Sequence, residues 1–197
     1  MRAPKRMCTF IYLIELTSSS HHIDALIKQE GVVWRLTGFY RHPETSRRGE
    51  SWDLLRQLYA SFSLPWLVLD DFNEILFPDE YWVSGSRPYN QIVEFTRVVE
   101  DCLLMDLGFK GPKFTWCNRH FKGNLVYARL DRELHNQEWL QFFPQSSLSY
   151  IPFGFSNHMA LLVKVQITSQ MKPTKKHKFF LFEAFWMRDP NCEDIIR

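Results

Sequence analysis

The chain lacks most of the marks that identify a protein class on sight. Its four cysteines, Cys8, Cys102, Cys117 and Cys192, are widely scattered. No CxxC pair occurs, which removes the ligand spacing of a structural zinc site. The pattern suits a reduced, intracellular protein better than a disulfide scaffold. Eight glycines are present, and none builds a glycine-rich phosphate loop. There is no G-x-S-x-G elbow and no H-E-x-x-H helix, so neither serine-hydrolase nor zincin chemistry finds support. No apolar run reaches membrane-spanning length. Internal repeats and low-complexity blocks are absent. The net charge is only +2, so the totals neither demand nor exclude a nucleic-acid partner.

What is present is an ordinary globular composition. The 197 residues are 45% hydrophobic and 23% charged, enough for one domain with a proper core. Aromatics reach 16%, and most belong in that core. At the head, Arg2, Lys5 and Arg6 precede the apolar run Met7 to Leu16, the outline of a secretory signal. Glu15 interrupts the run and no clean small-residue cleavage site follows. CTFIYLIEL therefore reads as a strand, and the protein as one that is not secreted.

The organising stretch is Pro65 to Ile75, PWLVLDDFNEI. Trp66 to Leu69 has no polar interruption, as in a strand buried on both faces. It ends abruptly in Asp70-Asp71-Phe72-Asn73-Glu74. Ligand sites of α/β sheets collect at strand ends. Asp71 and Asn73 lie at i and i+2, so an extended backbone points both to one face. A carboxylate to take a proton, beside an amide to hold an oxyanion, is a usable pair for hydrolysis. Asp and Asn also open turns after strands, and that reading stands beside the first.

Around it, HHIDALIK (His21 to Lys28) and VVWRLTGFY (Val32 to Tyr40) read as strands. Ser51 to Ser63 reads as a helix with Ser51 as cap and a stripe of Leu54, Leu55, Leu58 and Phe62. Phe77 to Tyr89 is a loop. Asn90 to Leu104 is a second helix, with Ile92, Phe95, Val98, Val99 and Cys102 at helical spacing. Short strands follow at Met105 to Leu107 and in KFTWC (Lys113 to Cys117), around a turn at Gly111-Pro112. Gly123-Asn124 turns the chain into one strand, Val126 to Leu134. There Asp131 is flanked by Arg129 and Arg132, a pattern that a surface ion pair would also explain. Asn136 to Phe143 is a short helix, and Ser146 to Phe153 and Met159 to Ile167 are strands. His158 before a buried strand is either structural or functional. The basic tract Lys172 to Lys178 is a linker, too short to establish nuclear entry, and leads into the aromatic FFLFEAFWMRDP. Strands alternating with two clear helices argue an α/β or α+β architecture.

Four signals occur in order, each at a strand end: GFYRHP, DDFNEI, RLDREL and SNHMALLV. Together they resemble the endonuclease/exonuclease/phosphatase superfamily. With HHIDALI, WRLTGFYRHPE, LGFKGPKFTWCN and FEAFWMRDP they look most like the endonuclease region of plant non-LTR (long interspersed element) retrotransposons, where such a domain precedes a reverse transcriptase. The resemblance implies a two-sheet α/β sandwich of the DNase I-like type, here lacking its first strands. Its organisation would be an unmatched head at 1–20, a partial domain at 21–168, and a basic linker with the start of a following segment at 169–197.

The resemblance also implies a metal-dependent phosphodiesterase acting on DNA with Mg2+ or Mn2+. Magnesium wants hard oxygen ligands and keeps several waters. By motif match, Asp71 would orient or deprotonate the attacking water and Asn73 would hold it or a phosphate oxygen. Tyr40 would donate to the phosphate and His158 would contact it. Asp71 and Asp131 would be the metal carboxylates. Arg41, Asn118, Ser156 and Asn157 would line the substrate.

Three departures from the family pattern bear on rate. The usual Ser-Asp-His reads Ser156-Asn157-His158. An Asp-to-Asn change beside the catalytic His of serine proteases lowers turnover about 10⁴-fold, about 5.5 kcal/mol of barrier. Neither the Asn-containing first strand nor the metal-binding Glu that follows it is recognisable in Met1 to Ser20, where Glu15 is the only acid. Asp70 stands where a Gly would precede Asp71, and a second carboxylate there disfavours ionisation of one of them. The expectation is an impaired hydrolase. Its alternative is a non-catalytic nucleic-acid binder without selected function, with Arg41, Arg47, Arg48, Lys172, Lys175, Lys176 and Lys178 available to phosphates.

Overall fold

The uninterrupted run Trp66 to Leu69 is the middle of a sheet. The computed structural model describes residues 11–42, 44–83, 88–119 and 125–167. Met1 to Phe10, the Gly123-Asn124 turn, the basic tract Lys172 to Lys178 and the aromatic segment after it lie outside the described residues. Strand β4 (Trp66–Asp71) pairs parallel with β3 (Val32–Phe39) and antiparallel with β9 (Asp131–Asn136). Beyond β3 lie β2 (His22–Gln29) and β1 (Ile11–Ser19), and beyond β9 lies β6 (Leu104–Asp106), giving the order β1-β2-β3-β4-β9-β6. Among the described residues β1 is an edge strand, with Ile11, Tyr12 and Leu13 exposed. No described helix is long and apolar enough to cross a membrane.

Both faces of β4 are covered, which is why its sequence carries no alternation. Trp66 and Val68 face the helices α1 (Arg48–Ser61) and α2 (Tyr89–Asp101), packing with Leu55, Leu58, Phe95 and Val98. Leu67 and Leu69 face the other way, toward Trp34, Trp139, Phe143 and Val163. That second layer contains β5 (Tyr81–Trp82), β7 (Trp116–Cys117) and β8 (Tyr127–Ala128) in the order β5-β8-β7, and the pair β10 (Ser147–Pro152) and β11 (Met159–Lys164). An antiparallel bridge between Trp116 and His158 joins the two pieces. The expected two-layer α/β sandwich is therefore present, with its second layer in two parts. Helix α3 (Gln137–Phe142) is capped by Asn136, whose Oδ1 accepts the Trp139 N–H at 2.9 Å.

Three local expectations need correction. The expected loop Phe77 to Tyr89 holds a 3-10 turn at Pro78–Glu80 and β5, which pairs antiparallel with β8. Helix α1 begins at Arg48, and Ser51 sits inside it rather than at its cap. The Ser51 hydroxyl instead accepts the His42 N–H at 3.0 Å. The buried face is Ser51, Trp52, Leu55 and Leu58, while Phe62 follows the helix and is exposed. Trp52 turns the stripe, because its ring stacks on Phe95 at 4.9 Å and on Phe39 at 6.4 Å.

Val126 to Leu134 is not one strand either. It divides at Arg129-Leu130, where the chain leaves the second layer (β8) for the six-stranded sheet (β9). The two arginines that flank Asp131 do not pair with it. Arg129 donates to Glu80 at 2.8 Å and to Asp106 at 2.9 Å. Arg132 donates to the same two carboxylates at 2.8 and 3.0 Å. All but Asp106 are buried. Burial alone would raise the Glu80 carboxyl, but Arg132 and then Arg129 outweigh it and hold it below the ordinary range.

Glu133 contrasts with these. It stands opposite Leu69 on the face between the layers, fully buried, and neither carboxylate oxygen has a hydrogen-bond partner. Burial, and then the charge of Asp106, push its carboxyl from 4.5 up to about 8. A folded value raised this way favours the proton, so stability is lost as pH rises through that window. Each unit is worth about 1.4 kcal/mol. Urea denaturation is expected to show the wild type losing a few kcal/mol between pH 5 and pH 9. Glu133→Gln should flatten that loss, and an equal loss in the variant would place its origin elsewhere.

Candidate active site

Three side chains from distant parts of the chain meet at one end of the space between the layers. Asp71 is the last residue of β4 and stands opposite Asp131, the first of β9. His158 enters from the residue before β11. One ligand atom from each lies within 4.8 Å of the others. Among the described residues this is the only such group of acids, histidines and cysteines.

The local sequence explains each placement. Asp71 and Asn73 do meet, though through a turn and not through an extended strand, because Asn73 has φ +50°. Asp71 Oδ1 accepts the Asn73 N–H at 2.7 Å and Oδ2 accepts its side-chain amide at 3.0 Å. The turn reading holds, and the turn itself brings the carboxylate and the amide into contact. Asp131 is held through its backbone. Its N–H and that of Leu130 both donate to Thr115 Oγ1 at 3.0 Å, and its carbonyl accepts the Tyr150 hydroxyl at 2.9 Å. Thr115 and Tyr150 are positioning residues to which the sequence reading gave no role, although Thr115 lies within KFTWC. Gly111 completes this support. It has φ +115°, and a Cβ there would lie 3.0 Å from the Tyr150 carbonyl oxygen.

His158 Nδ1 lies 3.1 and 3.2 Å from the two oxygens of Asp131. This contact changes the meaning of Asn157. Asn157 is exposed, and its carbonyl accepts the Cys117 N–H at 3.1 Å. The carboxylate that orients His158 comes from β9, so an uncharged residue at 157 does not deprive the imidazole of its partner. Ser156 shapes the same turn, its hydroxyl accepting the His158 N–H at 3.1 Å. Arg119 ties that loop down by donating to the carbonyls of Phe155 and Ser156.

The other predicted residues are distributed as follows. Tyr40, just beyond β3, is exposed and stacks on His21 at 6.2 Å. Its hydroxyl has no hydrogen-bond partner among the described residues. Arg41 is fully buried, donating to Glu74 and to the Asn73 carbonyl at 2.9 Å. It braces the Asp71 turn and is not offered at the surface to a phosphate. Asn118 closes a loop, its Oδ1 accepting the Val126 N–H at 3.0 Å.

Electrostatics follow from this packing. Burial, and then the charge of Asp131, raise the Asp71 carboxyl to about 6. Asp131 outranks the adjacent Asp70 in that shift. The hydrogen bond that His158 donates to Asp131 raises the imidazole above its ordinary 6.5 despite burial. A carboxylate of raised basicity at Asp71, beside an imidazole biased toward its charged form, can take a proton while the pair still faces an anion. The oxygens of Asp71 and Asp131 are hard donors and fit a divalent cation of the magnesium type. Such a cation would also relieve their mutual repulsion. Glu15 does not join them. It shares a cross-strand row with Ala25, Leu36 and Leu67, roughly 13 Å along and roughly 14 Å across the sheet from Asp71.

No protein-family model matches the chain, and no curated protein does. Solved structures do. The endonuclease domain of TRAS1, a telomere-specific non-LTR retrotransposon, is 10% identical with a TM-score of 0.64, over 80% of this chain and 69% of that one. A 3'-5' exonuclease, NExo, from Neisseria meningitidis is 13% identical with a TM-score of 0.52, over 80% and 70%. A beta toxin from Staphylococcus aureus is 13% identical with a TM-score of 0.51, over 74% of this chain and 57% of its own. The fold is thus that of the DNase I-like endonuclease/exonuclease/phosphatase proteins.

The Asp131–His158 pair is open to direct measurement. In chelator-treated protein, the His158 imidazole is expected to titrate above 6.5 by NMR, because the carboxylate favours the protonated ring. Asp131→Asn should bring it down. An unmoved titration would mean that Asp131 does not set the charge of His158.

Proposed function

We propose that the chain is a metal-dependent phosphodiester hydrolase of the endonuclease type, derived from a non-LTR retrotransposon of the plant kind and directed at DNA. The observation that carries the reading is the meeting of Asp71, Asp131 and His158 within 4.8 Å, at the end of a sandwich whose fold nucleases share. Asp71, its carboxyl raised by burial, would accept a proton from the attacking water. Asn73 would hold that water or a phosphate oxygen. His158, biased toward its charged form by Asp131, would meet a non-bridging oxygen of the phosphate, and the exposed Tyr40 hydroxyl would donate to another. Asp71 and Asp131 would hold Mg2+ or Mn2+, which supplies neutralisation of the charge that builds on the phosphate.

The activity is expected to be low. The ground is the set of metal ligands, and not Asn157. No third carboxylate joins the pair among the described residues, so the cation is weakly held.

Nicking of supercoiled plasmid with Mg2+ or Mn2+ tests this. Slow nicking is expected, abolished by chelator and lowered at least about 100-fold by Asp71→Ala or His158→Ala. Asn157→Asp should change the rate by less than about tenfold, against the roughly 10⁴ expected if it oriented His158. Undiminished nicking by Asp71→Ala would reject the assignment, and no nicking at any cation concentration would reject the hydrolase.

A further inference from the structure

The connection between β10 and β11 presents two bare aromatic rings. Phe153 is 68% exposed and Phe155 is exposed in full. Neither ring meets another among the described residues. Rings left in water forfeit the gain that burial gives an apolar side chain. Two of them on one loop, within five residues of His158, call for a partner.

The loop that carries them is braced. Pro152 pairs with Met159 and closes it. The Ser156 N–H donates to the Phe153 carbonyl at 3.0 Å, and Gly154 between them takes φ +42°. Arg119 donates to the carbonyls of Phe155 and Ser156. The Asn157 carbonyl accepts the Cys117 N–H at 3.1 Å, and the Met159 N–H donates to the Thr115 carbonyl at 2.8 Å. These bonds fix the backbone beneath both rings. A ring placed in advance loses less freedom when a partner covers it.

The surroundings select the partner. A hollow of about 270 Å³ is lined by both Phe153 and His158. Trp116 and Tyr127 add ring surface to its walls, Lys113 and Arg119 add positive charge, and no Asp or Glu lines it. Lys113 also pairs with Asp79 at 2.7 Å. Arg119 directs its donors to carbonyls, which leave its charge in place. Rings interleaved with cations suit a polyanion that itself carries flat rings. A lipid surface or a protein would call for a wider apolar face.

We infer that Phe153 and Phe155 form a stacking contact for nucleobases that lie out of the duplex stack. The contact stands beside the phosphate that His158 meets. The inference rests on the reading of His158 as a phosphate contact, and it goes further by naming the substrate as DNA with unpaired bases. A paired base shows only its edges, whereas an unpaired one offers its faces to an aromatic side chain. Every base has such a face, so the contact selects strand structure and not sequence.

The test is made on the full chain in chelator, where no hydrolysis intervenes. Anisotropy of a short labelled single strand, and of the matching duplex, reports affinity. Phe155→Ala should weaken single-strand binding about tenfold and duplex binding by less than about twofold. Phe155→Trp, which keeps a ring, should bind as the wild type does. The slope of log affinity against log salt should be the same in Phe155→Ala, because no phosphate contact is lost. A fluorescent purine analogue in the strand should be quenched by the wild type and by Phe155→Trp, and less by Phe155→Ala. Equal affinity and equal quenching in Phe155→Ala would overturn the inference, and so would a changed salt slope. Two other occupants have their own arms, each overturning it when DNA affinity is unaltered in Phe155→Ala. One is binding to phosphatidylserine vesicles that this variant abolishes, and the other is a dimer in sedimentation that this variant splits. A chain that binds single strands through Phe155 yet nicks nothing supports the contact and rejects the hydrolase. A chain that nicks, while Phe155→Ala binds and quenches as the wild type does, supports the hydrolase and rejects the contact.

Discussion

The arrangement of this protein depends on four charges in a nearly dry interior. Arg129 and Arg132 face Glu80 and Asp106, each arginine touching both carboxylates. Taking such groups out of water is costly, and the mutual attraction offsets that cost only when every member is paired. The network therefore specifies one geometry. It draws together the turn at Glu80, the strand β6 and the crossing from β8 to β9. That crossing moves the chain from one layer to the other within two residues, and it delivers Asp131 to the end of the sheet opposite Asp71. Without it, RLDREL would continue as the single strand that its composition suggests, with no reason to place Asp131 beside β4.

A second gradient runs along the face between the layers. On β4 that face reads Leu67, Leu69, Asp71, and on β9 it reads His135, Glu133, Asp131. Apolar packing therefore gives way to carboxylates as the strands approach their common end. The same burial that secures the core raises Asp71 and Glu133. The two differ in what meets them. Asp71 has Asn73 and the nearby imidazole, while Glu133 has neither hydrogen-bond partner nor cation. The site is a place where destabilised charge is answered by another group, and Glu133 is a place where it is not.

Much of this was readable in the amino acids, and for identifiable reasons. The run Trp66 to Leu69 announces a strand covered on both sides, and Ile92, Phe95, Val98 and Val99 announce a helix face, because burial leaves a periodic trace. The residues of the site could be nominated one motif at a time. Their wiring could not. The reading of Ser156-Asn157-His158 as a damaged unit assumed that neighbours in sequence are partners in space. His158 in fact finds its carboxylate 27 residues away in the chain. The roles of Thr115 and Tyr150 were not legible because a hydroxyl that holds a backbone amide or carbonyl looks like any other Thr or Tyr in a strand.

By itself, the sequence determined the central strands, the two main helices and the polar strand ends, because these follow from local spacing and from what each side chain does in water. Tertiary structure decided which charges cancel, since Arg41, Arg129 and Arg132 read as surface cations until burial assigns them Glu74, Glu80 and Asp106. It also decided that Asp131, not residue 157, holds His158. Coulomb attraction and desolvation act through space at a few ångströms, and the separation of two residues along the chain carries no record of that distance.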